Sequence, residues 1–165
     1  MLIEVPYDRS KALEYARKWA LNRNPDYLDF QGLGGDCTNF ASQCVFAGSS
    51  VMNYTPVTGW YYINSGNRTA SWSGVEYLFY FLTSNKAAGP YAVETNADGI
   101  EIGDIVQLGN SDNHFYHSPI VVGKTGQTIL LAAHTFDAFR KPLNNYVYHT
   151  ARYIHIEGIR KYQRN

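Results

Sequence analysis

Two cysteines, Cys37 and Cys44, are the chain's only thiols, and the first lies in the run Gly34-Gly35-Asp36-Cys37-Thr38-Asn39-Phe40-Ala41-Ser42-Gln43. A thiol attacks a carbonyl as thiolate, and a helix N-terminus beside an imidazolium lowers its pKa from about 8.5 to roughly 3.5–7.5. Phe40, Ala41, Cys44 and Ala47 recur at helical spacing and Gly48 is expected to close the helix, so Cys37 falls at the helix start. Gly34-Gly35 permits a tight turn and keeps side chains away from the sulfur. The backbone N–H groups of Cys37 and Thr38 are then candidates to face a developing oxyanion. Cys44 continues the same stripe and is expected to be buried filler. On one helix the two thiols would be separated by about 10 Å of rise, beyond the roughly 7 Å reach of a disulfide, so both are expected free. No Cys-x-x-Cys pair occurs and no His is spaced beside either cysteine, which argues against a metal site.

Partners for the thiol must come from the histidines at 114, 117, 134, 149 and 155. His114 lies in a polar stretch and is expected to face solvent; His149 and His155 read as structural. Asp36 is expected to cap the Cys37 helix, with binding of a substrate amine as the alternative. Its charge would raise the thiol pKa unless directed elsewhere. Trp60 and Trp72 suit either a substrate cleft or the core.

These residues need elements to carry them. Asp8 to Leu21 shows apolar residues at helical spacing, with Asp8 or Ser10 as cap and Asn22-Arg23-Asn24-Pro25 as the break. Residues 53–67 read as a long surface loop. Ser71-Trp72-Ser73-Gly74 reads as the start of a helix over Val75 to Leu82. After Asn85 the pattern changes: Ile105 to Leu108, His117 to Gly123, Thr128 to Ala133 and Tyr153 to Ile156 read as strands, with Lys124-Thr125-Gly126-Gln127 as a hairpin loop. Helices first and strands later predict an α+β fold with a C-terminal antiparallel sheet.

The 165 residues fit one domain spanning 1–165, 45% hydrophobic and 17% charged, which is a globular composition. Fourteen basic residues balance fourteen acidic ones, against a phosphate-tracking nucleic-acid partner. No apolar run approaches the ~20 residues of a membrane span, and residues 1–20 show no signal peptide. Fourteen tyrosines make the chain unusually aromatic, which suits a sugar–peptide polymer as well as a core.

The cysteine run resembles the signature of the bacterial putative amidase domain family, which is similar to the NlpC-type cell-wall endopeptidases and the CHAP amidohydrolases. Matching features follow in the same order: the helix around Tyr15 to Trp19, Ser71-Trp72, Gly103-Asp104-Ile105-Val106-Gln107 and His117-Ser118-Pro119-Ile120-Val121-Val122. The resemblance implies a papain-like fold and hydrolysis of an amide through a thioester, with no cofactor and no metal. It implies that Cys37 attacks and that His117 takes the thiol proton and passes it to the leaving amine. His134, on the following strand, would orient that imidazole, with Asp137, Asn144 and Asn145 as alternatives. The implied substrate is a cell-wall peptide, peptidoglycan-derived, or a related amide, and the implied location is extracellular or cell-envelope; the lack of disulfides fits the cytoplasm equally. A non-catalytic wall-binding module of the same fold, or an acyltransferase, are the other functions consistent with the pattern.

Overall fold

In the computed structural model, which describes residues 1–164, the chain is an α+β structure built on a large antiparallel sheet. Strand β1 (Leu2–Val5) leads into helix α1 (Arg9–Trp19), where the Asp8 carboxylate accepts the Lys11 N–H at 3.1 Å as the N-cap. Helix α2 (Cys37–Ser49) packs on α1. A short hairpin, β2 (Tyr62–Asn64) and β3 (Asn67–Arg68), sits inside the stretch read as loop, followed by α3 (Ala70–Ser73) and α4 (Val75–Ser84). The remaining strands are β4 (Gly89–Thr95), β5 (Ile105–Gly109), β6 (Phe115–His117), β7 (Ile120–Thr125), β8 (Thr128–Ala133), β9 (Ala138–Pro142) and β10 (Thr150–Tyr162). The sheet runs β1-β10-β5-β7-β8-β9, with β4 also pairing β10 and β6 pairing β5.

Both faces of the central strands are covered. Ile120, Val122, Leu130 and Ala132 meet Ala16, Ala20, Phe40 and Cys44 of the helices. Their alternates Val121, Ile129 and Leu131 join Val106, Leu108 and Leu143 on the opposite face. That is why β7 and β8 read as continuous apolar runs rather than alternating ones. On β5 the same alternation sends Gln107 to the helical side, where its amide donates to the Val75 carbonyl of α4.

Gly48 does not close α2. The helix ends with Ser50 in the left-handed region (φ 56°), and a Cβ at Gly48 would lie 2.4 Å from the Tyr7 ring and 2.7 Å from the Asp8 carbonyl. That glycine serves close packing of the α2 C-terminal end on the segment before α1. The same N-terminal segment is tied to the sheet, with Tyr7 Oη donating to the Gly103 carbonyl at 2.9 Å and Arg9 paired to Asp104 at 2.7 Å.

Candidate active site

Cys37 is the first residue of α2, and both thiols are free. Its N–H and that of Thr38 belong to the first helical turn, whose amides have no intrahelical acceptor. Both residues line an open cleft of about 360 Å³, with Gly34-Gly35 on one side, Gly74 and Tyr77 of the α4 start on another, and Phe115-Tyr116 on a third. Gly34 and Gly35 have φ near +105°, a conformation a side chain would strain, so the tight approach expected of that pair is realised.

The Cys37 sulfur lies 3.9 Å from the Tyr116 carbonyl oxygen and 3.7 Å from Thr38 Oγ1. The fold therefore sets the sulfur against the backbone immediately before His117, a contact across 79 positions of sequence. No S–H···N bond joins Cys37 to His117 among the described residues, and the His117 ring lines a neighbouring pocket whose rim, Tyr116, it shares with the cleft. His117 ends β6 rather than opening β7, because Ser118-Pro119 interrupts the strand.

Burial dominates the electrostatics. Burial pushes the Cys37 thiol above its ordinary value and Asp36 adds to the rise, while the Thr38 hydroxyl and the Ser118 and Thr38 amides oppose it. His117 is lowered to about 4, first by burial and then by the positive charge of Lys141. The resting pair is thus neutral thiol and neutral imidazole. The helix start expected to favour a thiolate is present, and burial of the sulfur acts against it.

Asp36 is 1% exposed and does not line the cleft. Nor does its side chain cap α2. One oxygen accepts the Phe30 N–H and the Asn39 amide, each at 2.8 Å, and the other meets His134 Nδ1 at 2.5 Å. His134 Nε2 donates to the Trp19 carbonyl at 2.8 Å, and the ring stacks on Phe40 with centroids 4.1 Å apart. Both ring nitrogens are therefore occupied and neither is left to orient His117. His117 of β6 pairs with Leu108 of β5 and His134 follows the end of β8, so neither is a rung of the β7–β8 ladder, and the His134 ring turns to α1 and α2. The alternative Asp137 is held by Arg23 at 2.8 Å; Asn144 and Asn145, in the short 3-10 turn Leu143–Asn145, are exposed.

Trp60 and Trp72 are fully buried, with ring centroids 4.7 Å apart, so neither lines the cleft. Their indole N–H groups donate to Ser42 Oγ and Asn39 Oδ1, which fastens α2 from behind. Sequence reasoning missed a buried polar chain on the cleft floor. Thr38 Oγ1 meets Ser118 Oγ at 3.1 Å, Gln107 Nε2 donates to Ser118 Oγ at 3.1 Å and to the Val75 carbonyl at 2.9 Å, and Arg152 joins Gln107 Oε1 to Glu76. The signal available was Gln107 amid Ile105-Val106-Gln107-Leu108, a polar residue in an otherwise apolar strand. His114, expected in solvent, is exposed and also lines the cleft. Outside the cleft, Glu101, Asp104 and His155 cluster, but Asp104 already accepts from Arg9, His155 and the Glu101 and Ile156 amides.

No solved structure matches the chain. The curated protein "Uncharacterized protein YhbB" of Bacillus subtilis (strain 168) is 36% identical over 137 residues, covering 80% of this chain and 42% of that relative. The chain thus spans less than half the length of that relative. The family described as "Putative amidase domain" matches residues 6–157, nearly the whole chain. On that extent of agreement, the chain belongs to the putative amidase domain family.

Proposed function

We propose that this chain is a cysteine amidohydrolase of papain-like type that cleaves an amide through a thioester, with Cys37 as nucleophile and His117 as the proton carrier. The observation that carries the reading is the lodging of the Cys37 sulfur, at a helix N-terminus, 3.9 Å from the backbone that presents His117. A neutral imidazole is in the correct state to accept the thiol proton as sulfur attacks. The same proton then goes to the leaving nitrogen, and water resolves the thioester with His117 again as base. The helix-start amides of Cys37 and Thr38 stabilise the oxyanion. Asp36 and His134 act at a distance from the reacting atoms, by holding the loop before Cys37 and the N-terminal end of α2.

The substrate class proposed is peptide amide of bacterial cell-wall material, on the strength of the family's resemblance to wall-degrading enzymes and the open cleft beside Tyr77 and Tyr116. Digestion of purified peptidoglycan by wild type and Cys37→Ala, with mass analysis of the fragments, tests this. Fragments released by wild type alone support it, and equal release by both removes it. Product analysis with added amines separates hydrolysis from acyl transfer.

A further inference from the structure

The pocket beside His117 is chemically unlike the cleft that holds Cys37. It encloses about 290 Å³, near the lower end for ligand sites, so it suits one amino-acid-sized group rather than a polymer. Its walls are largely apolar, with Leu108 and Val147 among them, and its single formally charged lining residue is Lys141. Lys141 makes no ion pair among the described residues and lies 4.1 Å from the centroid of the Tyr146 ring. The Tyr146 hydroxyl is buried and, among the described residues, has no hydrogen-bond partner. A buried donor without an acceptor is costly, and here it accompanies the Lys141 ammonium and an imidazole.

The rim is formed by the β8–β9 hairpin turn. Thr135 and Phe136, at the β8–β9 turn, both have positive φ (59° and 62°) without being glycine, asparagine or aspartate. Consecutive positive φ is what the two central residues of a tight hairpin turn adopt. The turn holds Phe136 out over the pocket at 88% exposure, while Thr135 Oγ1 accepts the Asp36 N–H at 3.0 Å, joining the rim to the residue before the nucleophile.

We propose that this pocket is a subsite for a free carboxylate on an apolar or aromatic residue, gripped by Lys141 and the Tyr146 hydroxyl. The inference rests on the proposed function for its direction. His117 delivers the proton to the leaving amine, and the pocket lies on the His117 side, so the carboxylate-bearing residue is the leaving group. The Cys37 sulfur bonds to the amide carbonyl carbon, and the C–N bond breaks as the resulting oxyanion collapses to the thioester; the thiol proton, carried by His117, ends on the nitrogen of the released amino acid. Hydrolysis of the thioester by water returns Cys37 and the acyl acid. The enzyme is accordingly exo-acting, removing a carboxyl-terminal amino acid from an N-acyl group.

Binding tests the subsite without requiring turnover. In the Cys37→Ala protein, N-acetyl-phenylalanine is titrated against its carboxamide, by calorimetry and by NMR of the His117 ring. The acid is expected to bind roughly tenfold or more tighter than the carboxamide, the scale of a charge-assisted contact. It is also expected to move the His117 titration upward, since a bound anion favours the imidazolium. Lys141→Met should abolish the preference, Lys141→Arg should retain much of it, and Tyr146→Phe should reduce it. Equal binding of acid and carboxamide, no binding of either, or an undiminished preference in Lys141→Met each overturns the subsite. If the subsite holds while Cys37→Ala digests as wild type does, the fault lies with the catalytic reading instead.

Discussion

Replacing His117 by Gln should make the fold more tolerant of acid, and the size of the gain can be worked from the site. The imidazole is lowered from 6.5 to about 4, so the folded state resists a proton that the unfolded chain accepts readily. Stability from this group is therefore complete above about pH 6.5 and is lost as the pH falls through the window from 6.5 to 4. Below about 4 the loss levels off. At 1.36 kcal/mol per tenfold, that difference amounts to about 3 kcal/mol. His117 is 8% exposed, so solvent screening discounts this little. Urea unfolding of wild type and His117→Gln at pH 7 and pH 4 reads the quantity directly. Subtracting the variant's loss removes the carboxylates common to both. A residual near 3 kcal/mol is expected; parallel losses in the two proteins would refute the claim that this imidazole is held neutral by burial.

Other consequences follow from the same geometry. Alkylation of Cys37 by iodoacetamide should be slow at pH 7 and climb through and beyond the ordinary thiol range, with Cys44 silent until unfolding, since burial raises both thiols; a rate plateau by pH 6 would contradict the neutral pair. Asp36→Ala should cost about 3–5 kcal/mol by leaving His134 and the Phe30 and Asn39 donors buried without an acceptor, measured by urea melts, and a change under 1 kcal/mol would show that the network is not structural. Gly48→Ala should destabilise by about 1–3 kcal/mol, because the added methyl meets the Tyr7 ring and the Asp8 carbonyl.

Much of the frame was legible in the residues. Asp8 caps α1 as the polar residue before an amphipathic stretch should, and Cys37 begins a helix whose stripe buries Phe40, Ala41 and Cys44. The strands β5, β7 and β8 coincide with the β-prone runs. What escaped depends on contacts between distant segments. Leu2–Val5 becomes a strand only because β10 offers Ile159 to Tyr162 as its partner, and four residues alone carry too little pattern to announce it. The cap assigned to Asp36 fails because His134, 98 positions away, competes for the carboxylate. The same competition withdraws His134 from His117. Trp60 and Trp72 could not be sorted between cleft and core until the helix they support was in place.

Everything in the mechanism passes through acylation of one sulfur, and intact-protein mass spectrometry during turnover reads it most directly. With an activated acyl ester, rapid acid quenching should show one acyl adduct, mapped by peptide digestion to Cys37, absent from Cys37→Ala and accumulating more slowly in His117→Gln. Equal labelling of Cys37→Ala, or an adduct that maps to another residue, would contradict the account.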